Sequence, residues 1–185
     1  AYNPYKYYNG IEFINEQGNI IDSYKKIKLV PGGEAYPFQN NKFLLNTFPF
    51  KNIIALIYEQ FDKAGASRWE IGDKISVFEH PNGYKFSGII CYESAFGDFV
   101  RQFAYDGAQT IAVITEDAWS YSDNSLLQHF YMSVFRAIEN RRDIVHNGNS
   151  GVTGHISSSG KVISTLPFWK PDYMIANVAL NDKIT

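Results

Sequence analysis

The chain has 185 residues, 45% of them hydrophobic and 16% aromatic, enough for one compact domain with a sizeable core and too apolar for disorder. A formal net charge of −2 and the lack of any basic tract exclude nucleic acid as a partner. A single cysteine cannot form an internal disulfide, and no apolar run reaches membrane-spanning length.

Taken in order, residues 7–13 and 20–25 flank Asn15-Glu16-Gln17-Gly18-Asn19, a turn-rich loop, and predict a β-hairpin. Two prolines and two glycines in residues 26–37 forbid regular structure there, so this stretch is a loop of defined shape carrying Lys26, Lys28 and Glu34. Apolar residues from about Lys51 onward recur at helical spacing up to Gly65. Residues 65–72 form a loop, and residues 74–79 and 85–90 predict a second hairpin around Pro81-Asn82-Gly83.

Cys91 follows that apolar strand, and Phe96, Phe99, Val100, Phe103 and Ala104 then recur at helical spacing. A thiol at a strand-to-helix handover would feel the positive end of the helix, so Cys91 is expected to be more acidic than a free cysteine. Glu93 is expected to project close to it. A buried cysteine acting only as a small hydrophobe is the competing reading. Residues 109–115 then form an apolar strand, followed by a polar loop with Trp119. Residues 126–142 form the strongest helix, in which Arg136 and Glu139 read as a surface ion pair of little weight. Strands are expected over 144–146, 152–157, 161–166 and 173–180, giving a mixed α/β domain with helices outside the sheets. The four histidines show no metal-ligand spacing, and no structural metal is expected.

Three separated segments together carry a family resemblance. They are Lys26-x-x-Leu29-Val30-Pro31-x-Gly33-Glu34, Cys91-Tyr92-Glu93, and Asp117-Ala118-Trp119 followed by Gln128-His129-x-x-Met132-x-x-x-Arg136-Ala137-x-Glu139. With Asn149-Ser150-Gly151-Val152-Thr153 and Gly160-Lys161, this resembles the nitrilase-like domain of the apolipoprotein N-acyltransferases, within the carbon–nitrogen hydrolase superfamily. The resemblance implies a nitrilase-like α-β-β-α sandwich, a single domain over residues 1–185, and a Glu-Lys-Cys triad. Cys91 would be the nucleophile and Lys26 the triad lysine, with Glu34 and Glu93 as further carboxylates of the site and Tyr92 and Trp119 as substrate-binding aromatics. The implied reaction moves a fatty acyl chain from phospholipid, through a cysteine thioester, to the N-terminal amine of a diacylglyceryl apolipoprotein, without a cofactor.

Departures from the family pattern set further expectations. The triad glutamate normally precedes the lysine after a proline, whereas Glu12 and Glu16 lie in a hairpin. The chain, which opens on Ala1, therefore reads as a domain whose N-terminal part, triad glutamate and flanking membrane helices lie upstream, and as inactive by itself. The full-length protein is expected in the bacterial inner membrane with this domain facing the periplasm, the piece itself being soluble and able to self-associate. Gly32, Ala35, Thr115-Glu116 and Ser120-Tyr121 replace residues common in the family around the acyl pocket. A soluble amidase of the same superfamily is the alternative enzyme, and a degenerate binding module the non-enzymatic one.

Overall fold

The hairpin near the N-terminus is present as β1 (Gly10–Ile14) and β2 (Ile20–Lys25), paired antiparallel with a register shift between Phe13 and Ile14. The structure, a computed structural model, describes residues 6–39, 41–63, 69–120 and 122–183. A short α1 (Lys42–Asn46) precedes α2 (Phe50–Lys63), which buries Ile54 and leaves Phe50, Ile53 and Leu56 exposed. The expected loop over 65–72 lies partly outside the described residues. The second hairpin has a shorter first arm than its sequence implies, with β3 (Phe78–Glu79) paired to β4 (Lys85–Ile90).

Downstream come α3 (Gly97–Tyr105), β5 (Thr110–Glu116), α4 (Asp123–Asn140), β6 (Asp143–Asn149), β7 (Thr153–Ile156) and β8 (Val162–Leu166). Strands β3 to β8 form one six-stranded sheet in chain order. Its centre, β4-β5-β6, is parallel, and the outer pairs are antiparallel. The parallel strands need crossovers, which α3 and α4 supply. Ile89, Ile111, Val113 and Ile144 are fully buried, as befits strands covered on both faces.

The β1–β2 hairpin packs against this sheet. Phe13 meets Phe78 and Phe86 at ring distances of 5.9 and 5.2 Å. Beside them Gly88 permits close approach, since a Cβ there would fall 2.5 Å from Ile11 Cδ1. Hydrophobic burial between the layers forms one continuous core that includes Tyr24, Phe99, Val100, Phe103 and Phe130.

The expected final strand is corrected: residues 170–183 contain no strand. The stretch alternates in burial but pairs with no strand among the described residues. It is tied down instead by single bonds, Ala179 N to Asp143 Oδ2 (2.9 Å) and Asn181 N to Gln109 O (3.3 Å). Among the described residues, no helix is long and apolar enough to cross a membrane.

Candidate active site

Cys91 sits where β4 ends, but the chain does not pass straight into α3. A five-residue 3-10 turn, Cys91–Ala95, intervenes. Cys91 itself has φ of +50°, a left-handed backbone uncommon outside glycine. The turn is pinned on several sides. Ser94 Oγ donates to the Cys91 carbonyl at 2.9 Å, and Arg136 Nη1 on α4 donates to the Ser94 carbonyl at 3.1 Å. Arg136 is therefore largely buried and joins α4 to the turn as well as to Glu139, more than the surface pair its spacing implied.

The Lys26 loop meets this turn although it is distant in sequence. Fully buried, Lys26 places its Nζ 2.8 and 2.6 Å from the two carboxylate oxygens of Glu34. Glu34 also accepts from Asn9 Nδ2 (3.1 Å) and Val30 N (2.8 Å), so every side of that carboxylate facing protein is used. The Lys26 charge acts on Cys91 and favours its thiolate.

Glu93 is corrected. It does not project toward the thiol; its carboxylate is fully buried and turned to the Lys26 loop. Oε1 accepts from Tyr24 Oη (2.6 Å), Ile27 N (2.8 Å) and Lys28 N (3.1 Å), and Oε2 accepts from Ile90 N (2.8 Å). Burial, then the neighbouring Glu93 carboxylate, push the Tyr24 phenol far above its ordinary value and keep it a donor. Glu93 thus fastens the loop that bears Lys26 to the turn that bears Cys91.

The expected acidity of the thiol is also reversed. Burial pushes the Cys91 thiol up, outweighing the Thr115 hydroxyl and the Lys26 charge, which pull it down, while the Asp117 charge adds to the rise. α3 begins only at Gly97, six residues later, so the thiol does not sit at that helix's N-terminus as the strand-to-helix reading implied.

One open cavity of about 920 Å³ holds four of the six predicted residues together, while Lys26 and Glu93 are buried and do not line it. Cys91, Tyr92, Glu34 and Trp119 line it, with Ile11, Val30, Trp69, Ile114, Leu126 and Met132 making much of the wall apolar. Trp119 is strongly exposed at its edge, and Tyr92 packs edge-on against Phe96. Glu12 and Glu16 are exposed on the hairpin. Of the positions that depart from the family pattern, Thr115, Glu116 and Ser120 line this cavity, whereas Tyr121 lies outside the described residues.

Sequence reasoning missed a buried pair beside the cysteine. His129 Nδ1 on α4 lies 2.8 Å from Asp117 Oδ1, and Thr115 Oγ1 donates to the same oxygen at 2.9 Å. Burial alone would raise Asp117, but the hydrogen bond and charge of His129 hold its carboxyl below the usual value. Burial likewise opposes charge on His129, yet Asp117 outweighs it and the ring is raised. His146, behind it at 5.6 Å between ring centres, is pushed down to about 3, chiefly by burial. Cys91, Asp117 and His129 offer sulfur, oxygen and nitrogen atoms that all lie within 4.8 Å of one another. A thiophilic divalent cation is the kind such donors take, but it would compete with the Asp117–His129 bond. Asp117 and His129 both belong to the family pattern, yet only the packing of α4 against the cysteine turn and β6 shows that they meet.

A thiol on a tight turn after a parallel strand, a buried lysine–glutamate pair acting on it and a sheet carrying helices define a nitrilase-type carbon–nitrogen hydrolase fold. The carbon–nitrogen hydrolase family model matches residues 1–183, and the chain belongs to that family. It is 38% identical over 157 residues to apolipoprotein N-acyltransferase 1 of Treponema pallidum, covering 85% of this chain and 26% of that protein. It is 33% identical over 177 residues to the apolipoprotein N-acyltransferase of Borreliella burgdorferi, covering 96% of this chain and 32% of that one. The chain thus spans a quarter to a third of the length of these curated relatives. Among solved structures, an amidase from Nesterenkonia sp. superposes with a TM-score of 0.58 at 18% identity, over 86% of this chain and 51% of that one. Nit3 of Saccharomyces cerevisiae, a nitrilase-superfamily member, gives 0.57 at 16%, over 86% and 49%. These two likenesses support the fold.

Proposed function

We propose that this chain is the acyl-transferring domain of an apolipoprotein N-acyltransferase, with Cys91 as nucleophile and Lys26, held by Glu34, beside the reacting centre. The observation that carries the reading is the cavity: about 920 Å³, open, largely apolar and with the cysteine in its wall. A pocket for a small amide needs far less apolar wall than a fatty acyl chain does. Cys91 sulfur attacks the ester carbonyl of a phospholipid; the S–C bond forms, the ester C–O bond breaks, and the thiol proton ends on the departing lysophospholipid oxygen. The Lys26 ammonium stabilises the oxyanion as it develops. The N-terminal amine of a diacylglyceryl apolipoprotein then attacks the thioester carbonyl, the C–N bond forms, the S–C bond breaks, and an amine proton goes to the departing Cys91 sulfur. Tyr92 and Trp119 bound the pocket for the lipid chains. The full-length protein would act at the bacterial inner membrane.

The experiment is intact-mass detection of an acyl adduct in the full-length protein after incubation with phospholipid, followed by a chase with a diacylglyceryl-cysteine peptide. Wild type is expected to gain one acyl mass and to lose it to the peptide, and Cys91→Ala to gain none. Hydrolysis of small amides with no acyl adduct from phospholipid would overturn the reading in favour of an amidase.

A further inference from the structure

The buried groups around Cys91 leave one polar atom unused. Among the described residues Asp117 Oδ2 is buried without a hydrogen-bond partner, while the largely buried His129 ring beside it also meets the Cys91 backbone. Asp117 Oδ2 is covered by Gly151, where a Cβ would fall 2.2 Å from it, so the chain gives up a side chain to keep this carboxylate in place. All the bonding is concentrated on Oδ1, which receives both the His129 ring and the Thr115 hydroxyl.

Thr115 is the hinge of this cluster. Its hydroxyl is buried, lies in the cavity wall with Cys91 and sits 2.9 Å from Asp117 Oδ1. That carboxylate is itself within 4.8 Å of the Cys91 sulfur, so one proton serves two neighbouring anions: the Asp117 carboxylate and, when it forms, the Cys91 thiolate. In the resting site the thiol is neutral and the hydroxyl serves Asp117. Once the sulfur carries negative charge, a turn about the Thr115 side-chain bond brings the same proton to it. Asp117 Oδ1 is not stranded by that turn, because the His129 bond remains.

We propose that Thr115 is a positioning residue for the nucleophile, whose hydroxyl switches from Asp117 to the Cys91 sulfur as that sulfur becomes negative, with His129 holding Asp117 meanwhile. The proposal rests on the reading of Cys91 as the nucleophile. The same logic assigns the neutral His146, bonded through Nδ1 to Ser133 Oγ at 2.8 Å, to fixing the back of the His129 ring. The other charged groups around the cluster are Lys26 and Glu34 from the loop after β2, Glu93 in the turn and Glu116 on β5. Of these, Lys26 acts on Cys91 in the opposite sense to Asp117.

The test is the pH dependence of Cys91 alkylation by iodoacetamide in the full-length protein, with thioester formation measured alongside. Thr115→Val is expected to move the alkylation midpoint upward by about one pH unit, the tenfold loss expected for one hydrogen bond to a charged group. Thr115→Ser keeps the hydroxyl and is expected to restore the midpoint. Asp117→Asn removes the negative charge beside the sulfur and frees the Thr115 proton, so its midpoint is expected to fall. Opposite shifts are the signature, since a cluster that merely supported the turn would move both variants the same way. An unchanged midpoint in Thr115→Val overturns the proposal. Should Thr115→Val fail to fold, an unchanged or raised midpoint in Asp117→Asn overturns it equally. A Cys91→Ala protein that still transfers acyl chains would instead overturn the reading of Cys91 beneath it.

Discussion

Replacing Glu93 by Gln measures the clamp between the lysine loop and the cysteine turn. The wild-type carboxylate takes four hydrogen bonds of 2.6 to 3.1 Å in a fully buried position. A neutral amide oxygen could keep the three from Tyr24, Ile27 and Lys28, but each would fall from a charge-assisted bond to an ordinary one, losing about 1 kcal/mol. The amide nitrogen would then face the Ile90 N–H, donor against donor, at a cost of about 1–3 kcal/mol. The amide avoids part of the desolvation cost of a buried carboxylate, so the net loss is about 3 kcal/mol. Against an ordinary domain stability of about 5–15 kcal/mol the variant still folds, but with a clearly lower midpoint. Urea unfolding followed by tryptophan fluorescence reads this directly. Tyr24→Phe removes one of the same bonds, so the double variant is expected to lose less than the sum of the singles. A Glu93→Gln stability within about 0.5 kcal/mol of wild type would refute the clamp.

Three further outcomes are expected. Because burial raises the Cys91 thiol, alkylation by iodoacetamide should reach half its maximal rate above the free-cysteine value of about 8.5, and a midpoint below that value would contradict the packing around the sulfur. Gly151→Ala should cost about 1–3 kcal/mol in thermal unfolding and slow thioester formation, since the new methyl group falls on Asp117 Oδ2. Burial would raise the Asp143 carboxyl, but the Ala179 N–H, His155 and the Ser158 N–H together hold it below its ordinary value. A carboxyl lowered by folding stabilises the native state above its unfolded pKa of about 3.9 and loses that contribution as pH falls through the folded value. Residues 170–183 should therefore become protease-sensitive first on acidification, and cleavage there that does not increase below pH 4 would count against the Ala179–Asp143 tie.

Much of this was legible in the sequence because it depended on local pattern. The β1–β2 hairpin, the strand before Cys91, α4 and the return strands β7 and β8 all follow from periodicity and turn residues. Lys26, Glu34 and Cys91 could be named as a group from their family pattern, and the fold puts Glu34 and Cys91 in one cavity wall with the buried Lys26 bonded to Glu34. What stayed hidden depended on partners rather than patterns. Residues 173–180 alternate like a strand, but alternation gives faces and not a neighbour to pair with. Glu93 looked like a group for the thiol because it lies two residues on, whereas its acceptors are filled from 66 and 69 positions away. Asp117 and His129 are twelve apart, and only the packing of α4 against the cysteine turn and β6 makes them one unit.

The backbone of Cys91 explains why so many distant groups converge there. A left-handed φ in a residue with a side chain costs about 1–3 kcal/mol and persists only when the surroundings dictate it. Two of the constraints lie within the turn itself and one comes from α4. Ile90 N is held by Glu93, the Cys91 carbonyl by Ser94, and the Ser94 carbonyl by Arg136 from α4. The turned-out Cys91 is half-buried, packed against the core and at the same time part of the cavity wall. The strain accompanies that placement, and the network that sustains it carries Lys26 on its far end through Glu93. Stability and placement of the reacting groups are then one quantity measured in two ways. It follows that Arg136→Met, though remote from the thiol, should lower both the unfolding midpoint and the rate of thioester formation. A variant that lost stability but reacted at the wild-type rate would separate the two and refute the coupling.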